Sequence, residues 1–217
     1  MADWVTISSM ATAGGTLVLA IATFSSVRSS SASARLAERA MLAAQRPILI
    51  PSREDDLPEQ VRFVDGVILR LPGHSGIAKL KERNLYLAMA LRNGGAGLAV
   101  IHSWRIETDP DRGGVAPTQD MFRRQNRDLF IPANGTGFWQ GAIRDADDPD
   151  YAAARAQVES GERMFVDLIY GDHEGGQRTI ARFMFTRWAD EDAQGMRASV
   201  LRYWNVDGDD PRAAYTS

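Results

Sequence analysis

The sequence predicts a mainly β protein, an antiparallel β-sandwich with one or two short helices, carried behind one long amino-terminal helix. Three observations predict it. Residues Trp4 to Val27 contain no charged side chain. After Pro47 the apolar residues repeat with a period of two rather than a helical one. Short apolar runs then alternate with Gly, Asn, Asp and Pro turn signals to the end of the chain.

A helix rises about 1.5 Å per residue, so about 20 apolar residues cross a hydrocarbon layer of roughly 30 Å. Residues 4–27 are therefore expected to be a transmembrane helix whose partner is the lipid bilayer. Met10 to Phe24 is its most apolar part, and Thr6, Ser8, Ser9, Ser25 and Ser26 dilute the flanks. Ala20 and Ala22 imitate a signal-peptidase site, but only Asp3 precedes the run, where a signal peptide needs basic residues. Arg28, Arg35, Arg39 and Arg46 all follow it. The positive-inside rule then places the amino terminus outside and the rest in the cytoplasm, as a single-pass protein of the cell membrane.

Residues 28–46 continue as a juxtamembrane stalk helix, rich in alanine and arginine. Leu36, Ala40 and Ala43 form a narrow apolar stripe suited to packing on the domain or to self-association through the stalk. Pro47 stops the helix.

Residues 47–206 form the expected β-sandwich domain. Ile48 to Ile50 is a first short strand, and Val61 to Leu71 holds the turn pair Asp65-Gly66. Leu71-Pro72 and Lys79 to Arg83 read as a long polar loop. In Asn84 to Arg92, Leu85, Leu87, Met89 and Leu91 share a face. In Leu98 to Glu107, Leu98, Val100, His102, Trp104 and Ile106 share one, with Ala99 and Ile101 opposite. Thr118 to Arg124 reads as a short helix, Leu129 to Ile131 and Gly137 to Ile143 as strands around a turn. Asp148-Pro149 opens a helix over Asp150 to Ser160, with Gly161 past its end. Arg163 to Tyr170, Arg178 to Trp188 and Met196 to Val206 are the last strands, and residues 207–217 are expected to be a flexible tail.

Four segments resemble a widespread group of bacterial, especially actinobacterial, membrane proteins. They are Arg46-Pro47-Ile48-Leu49, Leu91 to Ala99, Ile131-Pro132-Ala133-Asn134-Gly135 and Ile169-Tyr170-Gly171-Asp172. That resemblance implies a single span, an Ala/Arg stalk and an immunoglobulin-like β-sandwich. It implies no activity, because the group has none assigned.

Composition narrows function further. Net charge is −3 and charged residues make up 24% of the chain, so there is no footprint for nucleic acid. The chain contains no cysteine, which excludes a disulfide framework. Asp172-His173-Glu174, with His102 and Asp167 elsewhere, carries the right groups for a metal or acid–base site. Adjacent residues on a turn point in different directions, however. His173, Asp172 and His102 are thus candidates only, and no catalytic residue, metal or cofactor is assigned. Gly73-His74-Ser75-Gly76 lacks the glycine that a nucleophile elbow needs two residues after the serine. Asp145 to Asp150 and Asp207 to Asp210 lack calcium-loop spacing. Trp104, Trp139, Trp188 and Trp204 read as core.

The reading that follows is a membrane-anchored, non-enzymatic binding or assembly module with an unknown protein partner. One alternative is a metal-dependent or hydrolytic enzyme using the Asp172-His173-Glu174 loop. Another is an accessory subunit of a larger membrane complex, with Ala11 and Gly15 as a small-xxx-small contact.

Overall fold

The computed structural model describes residues 4–109, 114–187 and 195–208; within the first of these, side chains are described for Met10 and from Ala13 onward. The chain divides into two compact units, Met1–Ala44 and Gln45–Ser217.

The first unit is α1 (Trp4–Ala44), a single 41-residue helix. Its uninterrupted length follows from a sequence rich in alanine and free of proline up to Pro47. Among the described residues, no helix is long and apolar enough to cross a membrane. The span expected over residues 4–27 is therefore not shown. The uncharged run from Trp4 to Val27 measures about 36 Å as helix, and its side chains are described only in part. It also includes Gly14, Gly15, Thr16, Thr23, Ser25 and Ser26. Leu36, Met41 and Leu42 of the stalk are exposed.

Among its described residues the second unit holds eleven strands: β1 (Leu49–Pro51), β2 (Glu59–Arg62), β3 (Ile68–Leu71), β4 (Ser75–Lys81), β5 (Asn84–Asn93), β6 (Ala99–Glu107), β7 (Arg123–Ile131), β8 (Thr136–Ile143), β9 (Met164–Gly171), β10 (Thr179–Arg187) and β11 (Met196–Asn205). The helix α2 (Tyr151–Ser160) joins β8 to β9 and ends at Gly161, whose φ of 69° is the left-handed cap that glycine favours.

Nine strands form one antiparallel path, β1-β5-β4-β11-β10-β9-β6-β7, with β8 paired to the other side of β5. The link between its halves is short: β4 and β11 pair only at Gly76 with Met196 and Ser75 with Arg197. Gly76 is needed at this bend, because a Cβ there would lie 2.8 Å from the Phe185 ring. The path therefore curls, and the two halves enclose a core of Leu85, Leu87, Met89 and Leu91 from β5, Trp139 from β8, and Phe183 and Phe185 from β10. The antiparallel, mainly β expectation is realised as one curled sheet; an immunoglobulin-like pair of separate sheets is not shown.

β2 and β3 form a separate hairpin around Asp65-Gly66, with Gly66 at φ 79°. It covers the second face of β5, so Tyr86, Ala88 and Ala90 are buried beneath Val61, Phe63, Leu69 and Leu71. Phe63 meets Tyr86 edge-on at 4.9 Å.

Three expectations are corrected. Lys79 to Lys81 belongs to β4 rather than a loop, its charged residues occupying the solvated positions of a strand. Gln119–Met121 is only a 3-10 turn, and Arg123 already starts β7. Asp207 is no tail residue: its carboxylate accepts from the Arg178 backbone N–H at 2.7 Å and from its Nε at 2.9 Å. Residues 209–217 of the expected tail, and Trp188, lie outside the described residues.

One buried amide organises the end where the chain enters this unit. Asn93 Oδ1 accepts from Ile48 N at 3.1 Å and Gly95 N at 2.9 Å. Its Nδ2 donates to Gly97 O at 2.6 Å and Ile131 O at 3.1 Å. Beside it, Leu49 N donates to the Tyr170 hydroxyl at 3.3 Å, and the Tyr203 hydroxyl donates to Leu49 O at 2.7 Å. Burial pushes the Tyr170 phenol up to about 12. Replacing Asn93 by alanine orphans four backbone groups, of which Gly95 N–H and Ile131 C=O sit in buried bonds and cost about 1–3 kcal/mol each before relaxation. Urea unfolding of Asn93→Ala should show a loss of at least about 3 kcal/mol; a loss below about 1 kcal/mol removes the organising role.

The phenol sets a second expectation. The unfolded Tyr170 ionises near its ordinary value of 10.0 and the folded one near 12. Between those values the unfolded state binds fewer protons, so stability falls as pH rises, by on the order of 2–3 kcal/mol across the window. Tyr170→Phe should flatten that decline by one proton's slope in denaturation curves taken from pH 9 to 12. An unchanged slope counts against the assignment.

Candidate functional site

The residues singled out from sequence do not form one site. His102 lies at a bulge in β6, where the register shifts between Ile101 and Ser103 in both neighbouring ladders. Its Nε2 is buried without a hydrogen-bond partner. Burial, then Arg178, pushes the imidazole below its usual range, while Asp128 and Asp172 oppose them. Asp172 is near, but its carboxylate serves its own turn: Oδ1 accepts from Glu174 N at 3.0 Å and Gly176 N at 2.8 Å. His173 points to solvent with 65% of its side chain exposed, 3.9 Å from Glu174. Among the described residues no three His, Asp or Glu side chains gather as a metal site would require.

Asp167 is elsewhere, in a buried charged ladder on the outer face of the sheet. Arg105, Asp167 and Arg182 are direct neighbours across β6, β9 and β10. Arg182 Nε donates to Asp167 Oδ1 at 2.7 Å, and Arg105 NH1 to Oδ2 at 3.2 Å. Arg105 NH2 also reaches Glu107 at 2.9 Å. Trp204 lies under Arg182 with its ring 5.2 Å from Cζ. Two guanidinia and two carboxylates neutralise one another, so the ladder holds three strands together and has no free group for chemistry.

The other motifs are structural too. The Ser75 hydroxyl donates to Pro72 O at 2.6 Å. His74 accepts from Arg197 Nε at 3.0 Å through Nε2, leaving Nδ1 to donate to Ser52 O at 3.0 Å. Asp148 and Asp150 bind Arg123, whose hydrogen bond holds the Asp148 carboxyl below the usual range. Trp104, Trp139 and Trp204 are buried, as the sequence implied. A hollow of about 200 Å³ beside Gln177 has its cations engaged: Arg178 by Asp207, Arg46 by Asn205 and by Thr179 at 3.0 Å.

One feature remains that the sequence reading missed. β7 and β8 follow each other through the Pro132–Gly135 turn, yet among the described residues they form no ladder; β7 pairs with β6, and β8 with β5. Their facing edges splay into a cleft of about 180 Å³, walled by Arg123, Arg124, Arg127, Gln140 and Arg144, with the hairpin residue Phe63 at one side. Arg124 and Arg127 are exposed. Among the described residues neither has a carboxylate partner; Arg127 touches only Gln140 Oε1 at 3.3 Å and the Phe138 ring at 5.9 Å. Arg144, by contrast, pairs with Asp65 at 3.0 Å. The Tyr86 hydroxyl and then Arg144 hold that carboxyl below its usual range. Gln125 Nε2 bridges to Gln140 O at 2.9 Å, while Gln125 Oε1 and Arg123 Nε are buried without partners. The available signal was the run Arg123-Arg124-Gln125-Asn126-Arg127, whose polarity concealed an edge strand.

No protein-family model and no curated protein matches the chain. A solved structure described as a protein from Archaeoglobus fulgidus is similar over 62% of this chain and 94% of its own, at 10% identity and a TM-score of 0.24. A score that low carries no argument about fold or function.

The ladder and the turn make opposite predictions. Asp167→Ala leaves Arg105 and Arg182 buried without their shared anion, and should lose about 3–5 kcal/mol in chemical denaturation. His173→Ala should change stability by less than about 0.5 kcal/mol. Equal effects from the two would show that the ladder is not what holds the strands.

Proposed function

We propose that the protein is a tethered, non-enzymatic recognition module in which α1 is the tether and the β domain meets a protein partner. The observation that carries this reading is the surface of α1. Leu17, Val18, Leu19, Ile21, Phe24 and Val27 are each more than 60% exposed. At 100° per residue they point around the whole helix rather than along one stripe. An apolar girdle on all sides needs an apolar surrounding on all sides, which a bilayer supplies and a single packed domain does not. Met10 is 74% exposed as well, and the uncharged run of the sequence from Trp4 to Val27, about 36 Å as helix, is long enough to span.

The rest of the reading follows from charge. Arg28, Arg35, Arg39 and Arg46 stand behind the girdle, which favours a cytoplasmic domain in the cell membrane. Kinship with the actinobacterial single-span proteins, and an immunoglobulin-like relationship of the domain to theirs, belong to the same proposal. The non-enzymatic part is supported by the engagement of Ser75, His74, Asp167 and Asp172 in structural hydrogen bonds.

Alkaline carbonate extraction of membranes from producing cells should leave the full chain in the pellet, and Leu19→Arg/Ile21→Arg should move it to the supernatant. Protease added to intact spheroplasts should spare the domain and digest it after lysis. A wild-type chain recovered as a soluble monomer without detergent rules out the tether. A soluble, defined oligomer would instead mean that copies of α1 cover one another.

A further inference from the structure

We infer that the β7–β8 cleft is a docking groove for an extended, acidic polypeptide segment of a partner protein. This deepens the proposed recognition role and rests on it for the claim that the domain has a partner at all.

The shape comes first. The cleft runs between two strand edges that have no ladder partner, so its walls carry main-chain hydrogen-bonding groups. Gln140 O is shown to point into this gap, because the Gln125 side chain reaches it at 2.9 Å. In an antiparallel strand the N–H of a residue points the same way as its C=O, so Gln140 N–H faces the gap too. A segment in extended conformation can meet such an edge by strand addition, replacing the makeshift Gln125 contact with backbone bonds. Gln125 Oε1 and Arg123 Nε, one acceptor and one donor without partners, lie in the same wall. A ligand that carries both N–H and C=O groups can answer both after a small side-chain rotation. A bare anion can answer only the donor.

Charge comes second. Arg124 and Arg127 stand exposed at the groove without carboxylate partners among the described residues, while Arg123 and Arg144 beside them are neutralised by Asp148, Asp150 and Asp65. On a chain whose net charge is −3, these two uncompensated arginines make a small local positive patch. Arg124 and Arg127 lie three residues apart on one strand and both line the cleft. They can therefore address successive carboxylates along an added strand, and guanidinium forks suit carboxylates in two-point contact. Nucleic acid fits less well. The aromatic rings lining the cleft, Phe63 and Trp104, are 4% and 5% exposed and give bases no stacking platform.

The test uses the full chain in detergent and a fluorescently labelled short peptide of alternating glutamate and threonine, read by anisotropy. Binding is expected, weakening as salt is raised. Arg124→Glu/Arg127→Glu should reduce affinity about tenfold or more, and Arg124→Glu alone should retain a substantial part of that loss if the double variant is unstable. Arg124→Lys/Arg127→Lys should keep most of the binding, and Arg35→Glu/Arg39→Glu on α1 should leave it unchanged. No binding, binding indifferent to the reversals, tighter binding of the lysine counterpart peptide, or preference for single-stranded RNA overturns the inference. So does displacement of the peptide by inorganic phosphate at equal charge concentration, which would mark an anion hole rather than a peptide groove. Membrane extraction reads the tether independently, so the groove can fail while the tether stands, and the reverse.

Discussion

The structure depends first on a single buried amide. All four hydrogen-bonding positions of the Asn93 side chain are occupied by backbone groups from three segments: the approach to β1, the turn from β5 to β6, and the end of β7. A buried asparagine with every donor and acceptor matched adds direction that apolar contacts cannot supply. It fixes where the chain enters the domain, and so places Leu49 between the hydroxyls of Tyr170 and Tyr203. Gly97 completes the clasp, since a Cβ there would lie 1.8 Å from Gln45 O.

From that anchored end the sheet has to curl, and the curl distributes burial unevenly. β5 and β9 become covered on both faces. β5 solves this with apolar residues throughout, because the β2–β3 hairpin supplies a second apolar lid. β9 solves it with a charged ladder on one side, in which Asp167 is held between two arginines that are its direct cross-strand neighbours. The same curl leaves β7 and β8 as facing edges too splayed to pair. The cleft is thus a consequence of how the sheet closes, made where the two halves diverge.

Strand content was legible wherever one face was plainly apolar, as in Leu85-Leu87-Met89-Leu91 and in the alternation of β9 and β10. It failed where the parity of the alternation changes. In β6 the core takes Ala99 and Ile101, then Trp104 and Ile106, because the bulge at His102 inserts a residue and flips the faces. The sequence pattern reads instead as an unbroken even-numbered face. β4 and the start of β7 were hidden by lysines and arginines that are ordinary on solvated strand positions. The segments Arg46 to Leu49, Leu91 to Ala99, Ile131 to Gly135 and Ile169 to Asp172 were visible separately. Their convergence around Asn93 and Tyr170 is a property of topology, which no local pattern carries. The cleft was illegible for the same reason: its two walls are adjacent in sequence but face each other only because the pairing went elsewhere.

Arginines on an edge strand also have a protective role, because unpaired edges recruit other strands and charge discourages generic pairing. That role and peptide recognition are compatible, and together they explain why the charged residues lining the cleft are arginines, with Asp128 of β7 outside the lining. An edge bearing Arg124 and Arg127 excludes apolar and basic strands, including further copies of its own β7, and admits a strand that brings carboxylates. Exclusion of self matters more for a chain whose helix carries an apolar girdle. If α1 gathers copies in one surface, local concentration rises, and an unguarded edge would invite edge-to-edge association among neighbours. The basic edge therefore reads as the condition under which a tethered domain can leave two strands open without aggregating through them.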